Sequence, residues 1–537
     1  MSNTLRRAAG GLAAAAALIS AVTILSRIIG FGRTFVLAQA VGTSCLSQAY
    51  LTATALPTVI FEVVAGGALA SMVVPVLAGA VAGGRLDEAR QTASALLTWA
   101  VVLLVPVAVA ALLLARPLMS LLVGGSRGCD RTDVVQVAAS IFAILSPGIV
   151  LYGIAVVCGG ILQAQHRFFA PALAPLVSSL VVVSAYLVFW GTYDGDLDDL
   201  SQLTRGALLI LAVGTLLGVV VLATTTAVPA AGFRLRPQLR FPPGIAARVR
   251  ILALAGLGGF VAQQLTMLLA VALANRYGEN GSLAVYTFTW AVYLLPYAVL
   301  AVPIATSAFP RLAGSAEQDE QYASTAATTT RIVVLASMLG AALLVATAIP
   351  LSRVFIGQVP GGTPPERMAW ALAAFAPGLV GFSIVAHVGR ALYARGSGRA
   401  ATVAIVVGWA TAMAADLALT TSLPPRWTVV GLGLGNAIGM TVAAILLLVA
   451  LRRETDGGGL VNLSRAAAGG AAAALVGASA GFGVARWFGP SGPVFSFGQA
   501  VVVGLVTLGV FGAVALLLDK GDLRRLLTRL RRSEARS

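Results

Sequence analysis

The chain has 537 residues, 58% of them hydrophobic and only 10% charged, with a mean hydropathy of +0.92. Soluble domains carry roughly 25% charged residues, so this composition excludes one and points to a polytopic membrane protein. The net charge is +16, and every basic residue but Lys520 is an arginine in or near a short loop between apolar runs, apart from a few inside the spans. That placement assigns the charge to membrane topology and not to nucleic acid.

Apolar runs long enough to span lie near 10–40, 46–80, 91–115, 134–163, 168–190, 205–229 and 250–275. Seven more lie near 282–310, 330–350, 368–389, 400–421, 427–451, 464–485 and 495–518, which makes about fourteen transmembrane helices. The first run continues without an Ala-x-Ala site, so no cleavable leader is expected. It also holds Ser26-Arg27-Ile28-Ile29-Gly30-Phe31-Gly32-Arg33, two arginines in an otherwise uncharged stretch. An arginine at mid-bilayer costs roughly 2.5–3.5 kcal/mol and persists where water, a partner or a ligand compensates it. Two readings stand for Arg27, a cavity residue or a side chain snorkelling at the far interface. Gly30 and Gly32 weaken the helix between the arginines and are hinge candidates.

The second run carries Leu56-Pro57 and then Glu62, an acid that needs a counter-charge or a proton at that depth. Arg27 or Arg33 on the neighbouring helix is its natural partner. Cys45 and Cys129 fall in separate outer loops, where a disulfide between them is open. The loop Asp194, Asp196, Asp198, Asp199 reads either as a weak calcium ligand set or as a solvated loop. In the second half, Pro296 repeats the Leu-Pro device, His387 lies a turn from an inner loop, and Asp416 sits midway along the eleventh helix. Asp416 is either a coupling-ion or proton site, or a neutral or helix-backbone-bonded acid near the outer interface. Pro57, Pro147, Pro296, Pro303 and Pro377 free backbone carbonyls within spans, with Pro57 and Pro296 the leading hinge candidates. The tail after Lys520 is basic with interspersed leucines, suited to the anionic inner leaflet or to docking a partner.

With the N-terminus inside, inward segments hold 24 basic residues and outward loops nine, which places both termini in the cytoplasm. Two halves of the chain echo each other. Ser146-Pro147-Gly148 leads into Gly159-Gly160-Ile161-Leu162, and 230 residues later Ala376-Pro377-Gly378 leads into Gly389-Arg390-Ala391-Leu392. Pro75-Val-Leu-Ala-Gly79 likewise returns as Pro310-Arg-Leu-Ala-Gly314. The matched helices are six spans apart, so the repeats are parallel. The expected architecture is all-α. It has a lobe over 1–230, a basic linker over 231–250, a second lobe over 251–451, two extra helices over 452–518 and a basic tail over 519–537.

Three cysteines and two histidines have no metal-ligand spacing, and Lys520 follows no glycine-rich phosphate loop. No cofactor is expected beyond a monovalent cation or proton for coupling. Arginines in a central cavity suit a phosphate-bearing anion, which guanidinium matches with two hydrogen bonds.

The sequence resembles the MurJ/MviN lipid II flippases of the multidrug/oligosaccharidyl-lipid/polysaccharide exporter superfamily, its actinobacterial members most. The resemblance is carried by Ser26 to Arg33, by Leu56-Pro57 with Gly67-Ala68 and Val74-Pro75, and by Gly160-Ile-Leu-Gln-Ala-Gln-His-Arg-Phe168 with Pro171-Ala-Leu-Ala-Pro175. Phe309-Pro310-Arg311-Leu312 and Leu392-Tyr393-Ala394-Arg395 add to it. It implies fourteen helices in two lobes and a lipid-linked glycan diphosphate as substrate, held by Arg27 and Arg33. It also implies contact with membrane lipid, cell-wall synthesis proteins as partners of the tail, and a cation site at Asp416. The chain departs from the family at Phe61-Glu62 and Ala291, where relatives are basic, and at Thr34 and Gln48, where they are acidic. The anion site is therefore thinner, and Glu62 gates or orients the arginines. Alternatives are a flippase for another lipid-linked glycan, an ion-coupled drug antiporter, and a membrane enzyme or scaffold.

Overall fold

The computed structural model describes residues 2–63, 70–125, 128–489 and 491–518. Gly66, Gly67 and Ala68, Arg127, and the tail with Lys520 lie outside the described residues, as do the side chains of Arg6, Arg7, Arg248 and Arg250. The described chain is helical, in two compact units, Met1–Arg276 and Tyr277–Ser537.

The first unit contains α1 (Ser2–Val41), α2 (Cys45–Glu62), α3 (Ala70–Ala82), α4 (Leu86–Leu113) and α5 (Ala115–Val123). It continues with α6 (Arg131–Leu145), α7 (Gly148–Ala164), α8 (Phe169–Thr192), α9 (Arg205–Ala231) and α10 (Ile245–Tyr277). The second contains α11 (Ser282–Pro296), α12 (Val302–Gly314), α13 (Asp319–Ile356), α14 (Pro365–Phe375) and α15 (Gly378–Ala394). It ends with α16 (Gly398–Ser422), α17 (Thr428–Glu454), α18 (Leu463–Trp487) and α19 (Pro493–Leu518).

Among the described residues twelve helices are long and apolar enough to cross a membrane, or thirteen if α14 and α15, bent by 45° at Ala376-Pro377, form one span. The remaining expected run, 46–80, is occupied by α2 and α3 on either side of residues 64–69.

The internal repeat is visible as geometry. Helices α7 and α15 each cover 17 residues, start on the glycine after Pro147 and Pro377, and end 230 residues apart. Each break is closed by the same turn, with the Ile149 N–H donating to Ser146 O at 3.1 Å and the Leu379 N–H to Ala376 O at 3.2 Å. Proline supplies no N–H donor, so the same helix hydrogen bond is lost wherever the motif recurs, although Ser146 and Ala376 before it keep helical backbone. Packing repeats as well. Helix α7 lies against α3, α4 and α9, and α15 lies against α12, α13 and α17.

Lipid gives apolar side chains no reason to leave it, so these helices associate by close packing of small residues. One close example joins α16 to α17. A Cβ on Gly408 would sit 2.4 Å from that of Ala443, and one on Gly439 would sit 2.5 Å from that of Ala412.

The N-terminal end of α2 is tied down. Ser44 caps it by accepting from the Ser47 N–H at 3.3 Å, and Asp198 accepts from the Cys45 N–H at 2.9 Å. Cys45 and Cys129 form a disulfide with Cα atoms 5.7 Å apart, which answers the question the sequence left open. Asp198 thus serves as a helix cap. No group of three or more metal-capable side chains occurs among the described residues.

Candidate functional site

Helix α1 packs on α8 and leaves both Arg27 and Arg33 exposed on the protein surface. Gly30 and Gly32 lie between them in unbroken helix, each with open space where a Cβ would be. Glu62, half-buried at the end of α2, is within electrostatic reach of Arg27. The arrangement therefore brings the expected acid and one expected arginine together. Pro57 lies inside α2 without interrupting it, whereas Pro296 closes α11 and is followed by a π turn, Tyr297–Ala301.

Arg33 is within electrostatic reach of a different set of groups, the phenols of Tyr50, Tyr152 and Tyr186. Tyr50 and Tyr186 are buried, and their hydroxyls meet at 2.8 Å. The Tyr50 hydroxyl also meets Thr215 Oγ1 at 2.6 Å. Thr215 uses its one proton on Leu211 O at 2.7 Å, so Tyr50 donates to Thr215 and Tyr186 donates to Tyr50. Tyr152 stands apart, half-buried on α7, with its ring against Phe61 at 4.4 Å between centroids. Sequence reasoning missed these tyrosines because they come from α2, α7 and α8 and share no spacing. The available signal was chemical, since a phenol in a bilayer-depth segment needs a hydrogen-bond partner.

Gln48, at a position where the resembled family is acidic, is buried and donates to Asn275 Oδ1 at 3.1 Å. Asn275 in turn donates to Thr52 Oγ1 at 2.9 Å and to Leu122 O at 3.1 Å. A neutral amide network thus stands at that position. The motif from Gly160 through Pro175 lines a cavity of about 220 Å³ beside Phe61, with Gln163, Pro171, Pro175 and Thr226 in its wall.

In the second unit Asp416 is 2% exposed, on the face of α16 that meets α17. Its Oδ1 has no hydrogen-bond partner among the described residues, and a Cβ on Gly435 would fall 2.0 Å from that oxygen. An unpaired buried oxygen of this kind is tolerated where the acid is neutral or where a cation is bound. His387 is equally buried, and its Nε2 pairs with the Thr329 hydroxyl at 3.0 Å.

Two helical units carrying one repeat, with twelve or thirteen helices able to span among the described residues, define a polytopic helical membrane protein. The fold agrees with solved transporters. One, titled lipid II flippase MurJ in an inward closed conformation, aligns at a TM-score of 0.71 with 15% identity, over 93% of this chain and 98% of that one. An inward-facing multidrug resistance MATE family transporter of the MOP superfamily aligns at 0.66 with 14% identity, over 80% and 95%. In sequence, a probable lipid II flippase MurJ of Rhizobium meliloti is 25% identical over 445 residues, 81% of this chain and 79% of that protein. Another from Rhizobium tropici is 27% identical over 274 residues, 50% of this chain, and that match spans about half (49%) of the relative's length. The sequence model described as lipid II flippase MurJ matches residues 37–499. The chain belongs to the MurJ lipid II flippase family, a family of transporters and not of enzymes.

Proposed function

We propose that this chain moves an undecaprenyl-diphosphate-linked peptidoglycan precursor, lipid II, from the inner to the outer leaflet of a bacterial cytoplasmic membrane. What carries this reading is the family match over residues 37–499, on a chain whose α1 exposes Arg27 and Arg33. The headgroup crosses by alternating access, while the polyprenyl tail stays in lipid. Arg33 and Arg27 neutralise the diphosphate, and Glu62 orients Arg27. Asp416 is the coupling site for a monovalent cation or proton. Gly30, Gly32, Pro57 and Pro296 supply the bending.

The excess of inward arginines supports two cytoplasmic termini, with the tail over 519–537 reading the inner leaflet or docking cell-wall synthesis proteins. The motif set favours an actinobacterial-type member. The likeness in fold to MATE transporters, together with the acid at Glu62, favours an ion-coupled drug antiporter as the second reading.

The test is depletion of the protein in its host, with lipid II exposure scored by an externally added toxin that cleaves it. Exposure falls on depletion if the chain is the flippase. Unchanged exposure contradicts that reading and favours the antiporter or another glycan.

A further inference from the structure

We propose that Tyr152 is a headgroup contact of this transporter, its phenol donating a hydrogen bond to the substrate diphosphate beside Arg33. The inference rests on the flippase reading and adds to it a residue that the family resemblance does not supply.

The ring of Tyr152 is fixed by Phe61 of α2, at 4.4 Å between centroids and an interplanar angle of 37°. In the second unit the position 230 residues after Tyr152 is Phe382 of α15, which is also held by a ring near the second Leu-Pro, though edge-on at 80°. That ring is Tyr297, at 4.8 Å. Packing at this place in the repeat therefore asks for an aromatic ring and nothing more. The hydroxyl of Tyr152 goes beyond what packing requires.

That hydroxyl is also set apart from its neighbours. Those of Tyr50 and Tyr186 are bound to each other and to Thr215, whereas that of Tyr152 has no hydrogen-bond partner among the described residues. Half-exposed and without a protein partner, this hydroxyl is free to donate to a ligand that brings an acceptor. Arg33 and Glu62 both lie within electrostatic reach of this phenol, which puts it inside the charged group assigned to the substrate. With Glu62 opposing the arginines, a neutral donor strengthens the hold on phosphate without adding charge. A hydrogen bond to a charged acceptor is among the stronger kinds.

The test uses the full chain in lipid nanodiscs, with undecaprenyl diphosphate and lipid II as separate probes. Tyr152→Phe keeps the ring that the second unit already tolerates, so its thermal unfolding stays at the wild-type temperature. The account expects it to bind both probes about tenfold more weakly. Wild-type affinity for both probes overturns the assignment. Loss of lipid II affinity alone also overturns it, because the phenol would then read the sugar and not the diphosphate. A wild-type chain that binds neither probe contradicts the flippase reading itself, and this assignment falls with it.

Discussion

Asp416 shows how a single buried acid is made either tolerable or functional. Its Oδ1 has no hydrogen-bond partner among the described residues and presses on Gly435, where any side chain would collide with it. An unmatched buried acceptor costs on the order of 1–3 kcal/mol, more when charged, and a bound monovalent cation removes that cost. Binding to the folded state alone raises stability by mass action. Sodium in place of choline is therefore expected to raise the unfolding temperature of the purified protein, and Asp416→Asn is expected to abolish the increment. An equal sodium response in the variant would remove Asp416 from coupling. The acid was legible in the sequence because an acid in an apolar run stands out. Its missing partner was not, since that depends on which residues of α17 face it.

Among the helices, α1 and α2 behave differently. The N-terminal end of α2 is held by the disulfide, by the cap from Asp198 and by a backbone bond from the Leu46 N–H to Leu197 O at 3.0 Å. Helix α1 has glycine at two positions where a Cβ would meet nothing. Replacing both with alanine removes flexibility without a clash, and each change favours helix by roughly 0.5–1 kcal/mol. Gly30→Ala/Gly32→Ala is thus expected to unfold no earlier than the wild type while lowering lipid II exposure in cells. Full exposure with that variant would show that α1 does not bend there.

The sequence made the broken helices legible. Pro147-Gly148 and Pro377-Gly378 act locally, and the structure breaks both helices at those residues. The ties on α2 were not legible. Cys45 and Cys129 lie 84 residues apart, and Asp198 reaches the helix only after α8 has returned the chain. The acidic spacing at Asp194–Asp199 suggested metal or solvent, while tertiary structure recruited one of its members as a cap.

For the whole molecule, hydropathy and the parallel repeat were enough to anticipate an all-helical, doubly built transporter, because both depend on composition and local motifs. The surroundings of Arg33 were not anticipated, because three tyrosines from three helices come within its reach only on folding. The central claim is that the face of α1 bearing Arg33 handles a lipid-linked diphosphate. The most direct measurement compares wild-type and Arg33→Ala alleles, matched for membrane abundance, as rescuers of a depleted host, with lipid II exposure scored by the external cleaving toxin. The account predicts that the wild type restores exposure and that Arg33→Ala leaves it reduced by about tenfold or more, the scale of one lost charge-assisted contact. Full rescue by Arg33→Ala would contradict it and move the diphosphate site off α1.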